Sequence, residues 1–196
     1  FANELRSHLC KAPQRDREFD VRRVHRVKPP ADASTAGLRD IIRMAVEKKI
    51  RLVLVVYPKH VLHYEMERRC GGLEARWSEL WNIVSLVEEE TGPDSPLVGV
   101  WDFYGYRQIN AERVRAGIPM AQRLWQDAGH FNHEVGAVAF DAIFGGKAGP
   151  SNYGHRVSTR DFARLVETGE QERRAFLAEH AWVQQELDEL TRVSSR

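Results

Sequence analysis

The most chemically loaded stretch of this sequence is Trp125-Gln126-Asp127-Ala128-Gly129-His130-Phe131-Asn132-His133-Glu134. Asp127 and His130 stand three residues apart at the entry to a predicted apolar helix, Val135 to Phe144, closed by Gly145-Gly146. That spacing lets both side chains point to one side of a turn. A carboxylate that holds an imidazole in one tautomer leaves the other ring nitrogen to take a proton from a hydroxyl nucleophile. His130 then reads as a general base and Asp127 as its orienting partner. A capping Asp beside a solvated surface His has the same spacing, so a purely structural role stays open.

A rival chemistry is metal binding. His130, His133, Asp127 and Glu134, together with His60, His63 and Glu65, offer nitrogen and oxygen donors for a divalent cation. Helical zinc sites use His-Glu-x-x-His or His-x-x-Glu-His, whereas this sequence has His-x-x-His-Glu. No metal is therefore assigned. No cofactor motif is read either: Gly145, Gly146, Gly149 and Pro150 follow a helix and end it, whereas a phosphate cradle precedes one.

The elements that must position this stretch are legible from hydrophobic pattern. Ser34 can cap a helix with apolar face Leu38, Ile41, Ile42, Ala45 and Val46, and Lys48 and Lys49 suit the C-terminal end of its dipole. The continuous run Leu52 to Tyr57, ended by Pro58, predicts a strand buried on both faces. A helix over about Leu73 to Glu90, with Trp77, Leu80, Trp81, Val84 and Val87 on one face, leads to a second strand at Leu97 to Trp101. Helix, strand, helix, strand is the rhythm of an α/β fold. Ligands of such sheets bind beyond the carboxyl ends of the strands, which draws attention to the loops from Pro58 to His63 and from Asp102 to Asn110. His60 lies in the first and is expected to line the cleft. Trp125 and Phe131 flank the proposed base and are expected to shape a substrate slot, whereas Trp77, Trp81 and Trp101 are read as core.

Residues 1–157 are taken as the α/β domain and 158–196 as a helical extension. In the extension, Ser158 with Asp161 and Thr168 with Gln171 resemble capping boxes. Phe176, His180, Val183, Leu187 and Leu190 predict one long amphipathic helix packed on the domain, with helix pairing between two copies as the lesser reading.

Composition removes other classes. The 196 residues are 42% hydrophobic and 29% charged with a net charge of +1, which excludes intrinsic disorder. Leu52 to Tyr57 is the longest apolar run and falls far short of the ~20 residues that cross a bilayer. The basic run Arg22, Arg23, Arg26, Lys28 has no interleaved aromatics to stack on bases, so it reads as a solvated stretch and nucleic acid is not an expected partner. Cys10 and Cys70 are either two thiols or one disulfide.

Three blocks carry a family resemblance: Tyr57-Pro58-Lys59-His60 after the first strand; Trp101-Asp102-Phe103-Tyr104-Gly105-Tyr106 with Ile109-Asn110; and Asp127-Ala128-Gly129-His130-Phe131 leading to Val135-Gly136 and Ile143-Phe144-Gly145. The stretch from Leu52 to Gly146 resembles the C-terminal half of an SGNH/GDSL-type hydrolase, in particular the membrane-associated bacterial SGNH-like group. The resemblance implies a three-layer α/β/α sandwich with a mostly parallel, flavodoxin-like sheet, incomplete at the N-terminus. It implies an esterase or O-acyltransferase acting on a small-molecule or carbohydrate ester, with His130 as general base and Asp127 orienting it.

The family's serine and oxyanion blocks have no counterpart here. The sequence holds no Gly-Asp-Ser, and its nearest imitation, Gly92-Pro93-Asp94-Ser95, precedes a strand instead of following one, so Ser95 is rejected as nucleophile. Because the chain opens on Phe1 instead of Met, the serine is expected upstream, in a segment that also supplies membrane association on the periplasmic side. A non-catalytic binding domain on the same fold is the alternative.

Overall fold

The computed structural model describes residues 33–113, 119, 123–145 and 153–194. In chain order it forms α1 (Ala33–Glu47), β1 (Leu52–Val56), α2 (Val61–Arg69), α3 (Leu73–Thr91), β2 (Val98–Asp102), α4 (His133–Phe144), β3 (His155–Val157), α5 (Phe162–Glu179) and α6 (Trp182–Ser194), with a 3-10 turn at Gln108–Asn110. The basic run at 22–28, Cys10, Gly146, Gly149 and Pro150 lie outside the described residues, as does the side chain of Ser34. Cys70 is disulfide-bonded.

The chain is an α/β protein with a small mixed sheet in the order β1-β2-β3. β1 and β2 are parallel, Leu52 opposite Val98 and Val56 opposite Asp102. β3 runs antiparallel, with His155 opposite Asp102 and Val157 opposite Val100. The expected mostly parallel sheet is not what these strands make, because β3 enters level with the end of β2 and can only run back along it.

β1 also departs from expectation. Leu52, Leu54 and Val56 pack into the core, but Val55 is 38% exposed and no described strand pairs with the other edge of β1. Among the described residues, this continuous apolar run forms an edge strand that is only partly covered.

The larger core lies where α1, α3 and α5 meet one side of the sheet, around Ile42, Trp77, Leu80, Val84, Val98, Val100 and Phe162. Burying each large apolar side chain is worth about 1.5–3 kcal/mol. The predicted face of α3 is the buried one. On α1 only Ile42 and Ala45 are buried, Leu38 packs partly, and Ile41 and Val46 stay exposed. A second cluster, Phe103, Trp125, Val135, Ala139 and Tyr153, joins α4 to the loop after β2. Gly154 sits in it with φ +78°, and a Cβ there would fall 2.3 Å from the Phe103 ring, so no other residue fits.

A third cluster is built on α2, which begins inside the loop expected from Pro58 to His63. Val61 through Met66 are all buried in it, against Phe176, Val183 and Leu187. Glu65 is buried too, accepting from Tyr106 Oη at 2.6 Å, Arg173 Nε at 2.6 Å and Gln184 Nε2 at 2.9 Å. Burial alone would raise its pKa, but these donors overcome that and hold the carboxyl below its ordinary range.

The single long C-terminal helix becomes two. The backbone leaves helical geometry at His180, whose ring stacks on Phe176 with centroids 3.9 Å apart, and α6 restarts at Trp182. Phe176, Val183 and Leu187 keep their common seam because both helices dock on α2. Thr168 and Gln171 fall inside α5 and cap nothing, whereas Ser158 and Asp161 do exchange hydrogen bonds just before it. Phe162 and Val166 of α5 are buried in the main core, so these helices are built into the same body as the sheet.

Candidate active site

The site begins with the loop 124–132, which folds as a tight turn. Trp125 bridges Phe131, Gln126 N donates to His130 O at 2.9 Å, and Asn132 N donates to Leu124 O at 2.7 Å. At its tip Asp127 accepts from the backbone N of Gly129 at 2.8 Å and of His130 at 2.7 Å. Its two carboxylate oxygens lie 2.8 and 2.7 Å from Nδ1 of the His130 ring. A carboxylate only accepts, so Nδ1 carries the hydrogen and the unprotonated lone pair of the neutral ring is on Nε2. Nε2 has no partner among the described residues, and the side chain is 74% exposed.

The turn is held from below. Asn132 caps α4 by accepting from Glu134 N and Val135 N, and Gly145 ends that helix in the left-handed conformation. The Glu112 carboxylate accepts from Leu124 N and Trp125 N at 2.8 and 3.1 Å. Ala128 is fully buried, and its carbonyl accepts from His60 N at 3.0 Å.

Two residues expected to meet substrate do other work. His60 is fully buried: Nδ1 accepts from Leu62 N at 3.2 Å, capping α2, and Nε2 lies 2.8 Å from the Glu112 carbonyl. Burial drives its pKa down to about 4, so it is neutral, with its hydrogen on Nε2. It is a strut between α2 and the dyad loop and offers no surface to a cleft. Trp125 is also fully buried, its indole donating to Ile109 O at 2.7 Å, and it forms the floor under the turn. Phe131 alone of the three is partly open. It stacks on Tyr57 with centroids 5.7 Å apart, and Tyr57 is 65% exposed.

Tyr57 is thus the neighbour that sequence reasoning missed as a site residue. Its signal was position, the first residue past the carboxyl end of β1, where α/β ligands bind. The other blocks are structural. Asp102 is buried and paired with Arg76 at 3.0 Å, and Asn110 donates to Gly105 O. His63 contacts Lys59 Nζ and Glu67 Oε1 at 2.9 and 3.1 Å. Burial would raise the Glu67 carboxyl, but His63 and Lys59 bring it down to about 2. Among the described residues no group of three His, Cys, Asp or Glu side chains converges as a metal site.

No family model, curated protein or solved structure matches the chain.

Proposed function

We propose that this chain is the C-terminal part of an SGNH-like serine ester hydrolase or O-acyltransferase, with His130 as general base and Asp127 as its positioning residue. The observation that carries the reading is the Asp127 to Nδ1 contact, which leaves Nε2 of His130 outward and basic. Nε2 takes the proton of a serine hydroxyl as that oxygen attacks the ester carbonyl. The tetrahedral intermediate collapses as His130 returns the proton to the departing alkoxide. A water or acceptor alcohol, deprotonated the same way, then releases the acyl group from the serine. Tyr57 and Phe131 form an aromatic wall beside the base, suited to the flat or apolar part of a small-molecule or carbohydrate ester.

The nucleophile comes from a strand added at the free edge of β1, completing a three-layer α/β/α sandwich. Among the described residues the exposed large apolar side chains are Ile41, Met44, Val46, Ile50, Val55, Tyr57, Phe140 and Phe144. All lie on α1 and the turn after it, on β1 and its end, or on α4, whose Ile143 carbonyl accepts from Arg51 just before β1. Parallel crossovers are right-handed. Since α1 and α3 pack in one core on one side of the sheet, a strand leading into α1 falls beside β1 on the side away from β2. The carboxyl end of that strand adjoins Tyr57.

The disulfide at Cys70 supports an oxidising, extracytoplasmic setting. Membrane association is proposed for the segment that carries the serine; no described helix is long and apolar enough to cross a membrane. A fluorophosphonate probe tests the reading: a chain extended upstream to include the serine strand is labelled and these 196 residues are not. Labelling of the 196 residues overturns it. The lack of a Gly-Asp-Ser block favours one other reading, a non-catalytic domain, in which His130→Ala leaves function intact.

A further inference from the structure

The end of α4 remote from the dyad carries an apolar surface of its own. The helix leaves the Asp127–His130 turn at Asn132 and ends at Phe144, ~18 Å along its axis. There Phe140 and Phe144 meet ring to ring with centroids 4.4 Å apart, and each is about half exposed. The Arg51 guanidinium lies 5.0 Å from the Phe144 centroid and donates to the Ile143 carbonyl at 3.5 Å. These contacts join the helix end to the residues just before β1. Ile50, next to Arg51, is also about half exposed, as is Met44, whose carbonyl accepts from Lys48 N at 2.9 Å. The serine strand proposed beside β1 accounts for Val55, whereas Ile50 and Phe144 gather before the amino end of β1.

Charge and area together select what covers this surface. Lys48, Lys49 and Arg51 flank Ile50 along the chain. Lys48 pairs with its neighbour Glu47 at 3.0 Å with both side chains exposed, a contact that screens little of the charge. Among the described residues neither Lys49 nor Arg51 has a carboxylate partner. The occupant is therefore anionic. A second copy docked on the same face about a two-fold axis would set these cations against their own counterparts. Residues 1–30 carry eight Lys and Arg against four Asp and Glu, so that segment would also bring cations to cations. Area separates a protein from a lipid surface. A half-exposed side chain of this size offers on the order of 100 Å². Four of them fall well short of the ~800 Å² per partner that a stable protein interface buries. A bilayer needs no such area, because a few apolar side chains sink below the headgroups while lysine and arginine stay level with the phosphates.

We propose that the end of α4 and the turn at 48–51 dock on an anionic phospholipid surface, with Ile50, Phe140 and Phe144 entering the bilayer and Lys48, Lys49 and Arg51 meeting its phosphates. This surface does not depend on the hydrolase reading. The test is cosedimentation of the 196-residue chain with vesicles of equimolar phosphatidylcholine and phosphatidylglycerol, against vesicles of phosphatidylcholine alone. The chain should pellet with the mixed vesicles, stay in solution with the neutral ones, and be released as salt is raised. Lys48→Gln with Lys49→Gln should weaken binding about 25-fold, roughly fivefold for each cation. Phe140→Ser with Phe144→Ser should abolish pelleting while the melting temperature holds, since both rings are exposed. The lysine pair keeps the test decisive if the serine pair perturbs folding. Light scattering of the free chain should give the monomer mass at all concentrations. Failure to pellet with the mixed vesicles, equal pelleting with neutral ones, or pelleting that survives both pairs of substitutions overturns the proposal. So does a concentration-dependent dimer that the serine pair dissolves, which would make this face a contact between copies.

Discussion

A carboxylate has no proton to give at neutral pH, so the contacts between Asp127 and His130 decide which ring nitrogen carries the hydrogen. The expected tautomer of the neutral ring is Nδ1–H, readable from long-range nitrogen–proton correlations of the His130 side chain. Asp127→Ala should return the ring to the Nε2–H form that free imidazole side chains favour, without unfolding the chain, since the pair sits at an exposed turn. In the intact protein the same substitution is expected to lower kcat by about 10³–10⁴, as loss of the orienting carboxylate does in triads. His60 makes a pH prediction of opposite character. Its folded pKa is about 4 against 6.5 for the unfolded side chain, so between those values the unfolded chain binds more protons and stability falls as pH falls. The loss amounts to about 3 kcal/mol across the window. Urea midpoints measured from pH 7 down to pH 4.5 should decline, and His60→Asn, which keeps a capping acceptor, should flatten the decline. The spacing of Asp127 and His130 was visible in the sequence because both partners sit in one turn. The burial of His60 was not, because its carbonyl partner at Glu112 is 52 residues away.

At the scale of elements, α2 shows how a helix hides in a sequence. Val61–Arg69 carries the charged Glu65, Glu67, Arg68 and Arg69, yet Glu65 is buried because Arg173 and Gln184 of α5 and α6 close over it. Arg68 meets Glu170 at 2.5 Å and Arg69 meets Asp188 at 2.8 Å across the same junction. Glu65→Ala leaves the Arg173 guanidinium buried without its carboxylate and should cost about 3–5 kcal/mol in urea unfolding. The double substitution Glu65→Leu with Arg173→Met should recover much of that loss. The same pairing explains why the C-terminal seam survives a break at His180: the partner that selects Phe176, Val183 and Leu187 is α2, and it holds two helices as readily as one. Periodicity reported the buried face correctly and said nothing about continuity, which depends on backbone geometry at one residue.

On the scale of the whole molecule, the exposed large apolar side chains among the described residues are confined to a few elements. They lie on α1 and the turn after it, on β1 and its end, and on α4, as Met44, Val55, Tyr57 and Phe144 show. Protein surfaces scatter single hydrophobes, and a concentration marks a contact. A chain extended upstream by the proposed strand should therefore slow hydrogen exchange at the β1 amides and gain reactivity toward a fluorophosphonate together. Gain of one without the other breaks the link between the β1 edge and the nucleophile. What the sequence by itself determined is local: the α/β alternation, the buried face of α3, and an Asp and a His within one turn, all set by spacings of a few residues. What only the tertiary structure decided is long-range. It ran β3 antiparallel, turned His60 and Trp125 inward, opened β1 as an edge, and placed Tyr57 against Phe131, because each outcome depends on partners dozens of residues away whose pairing no local pattern encodes.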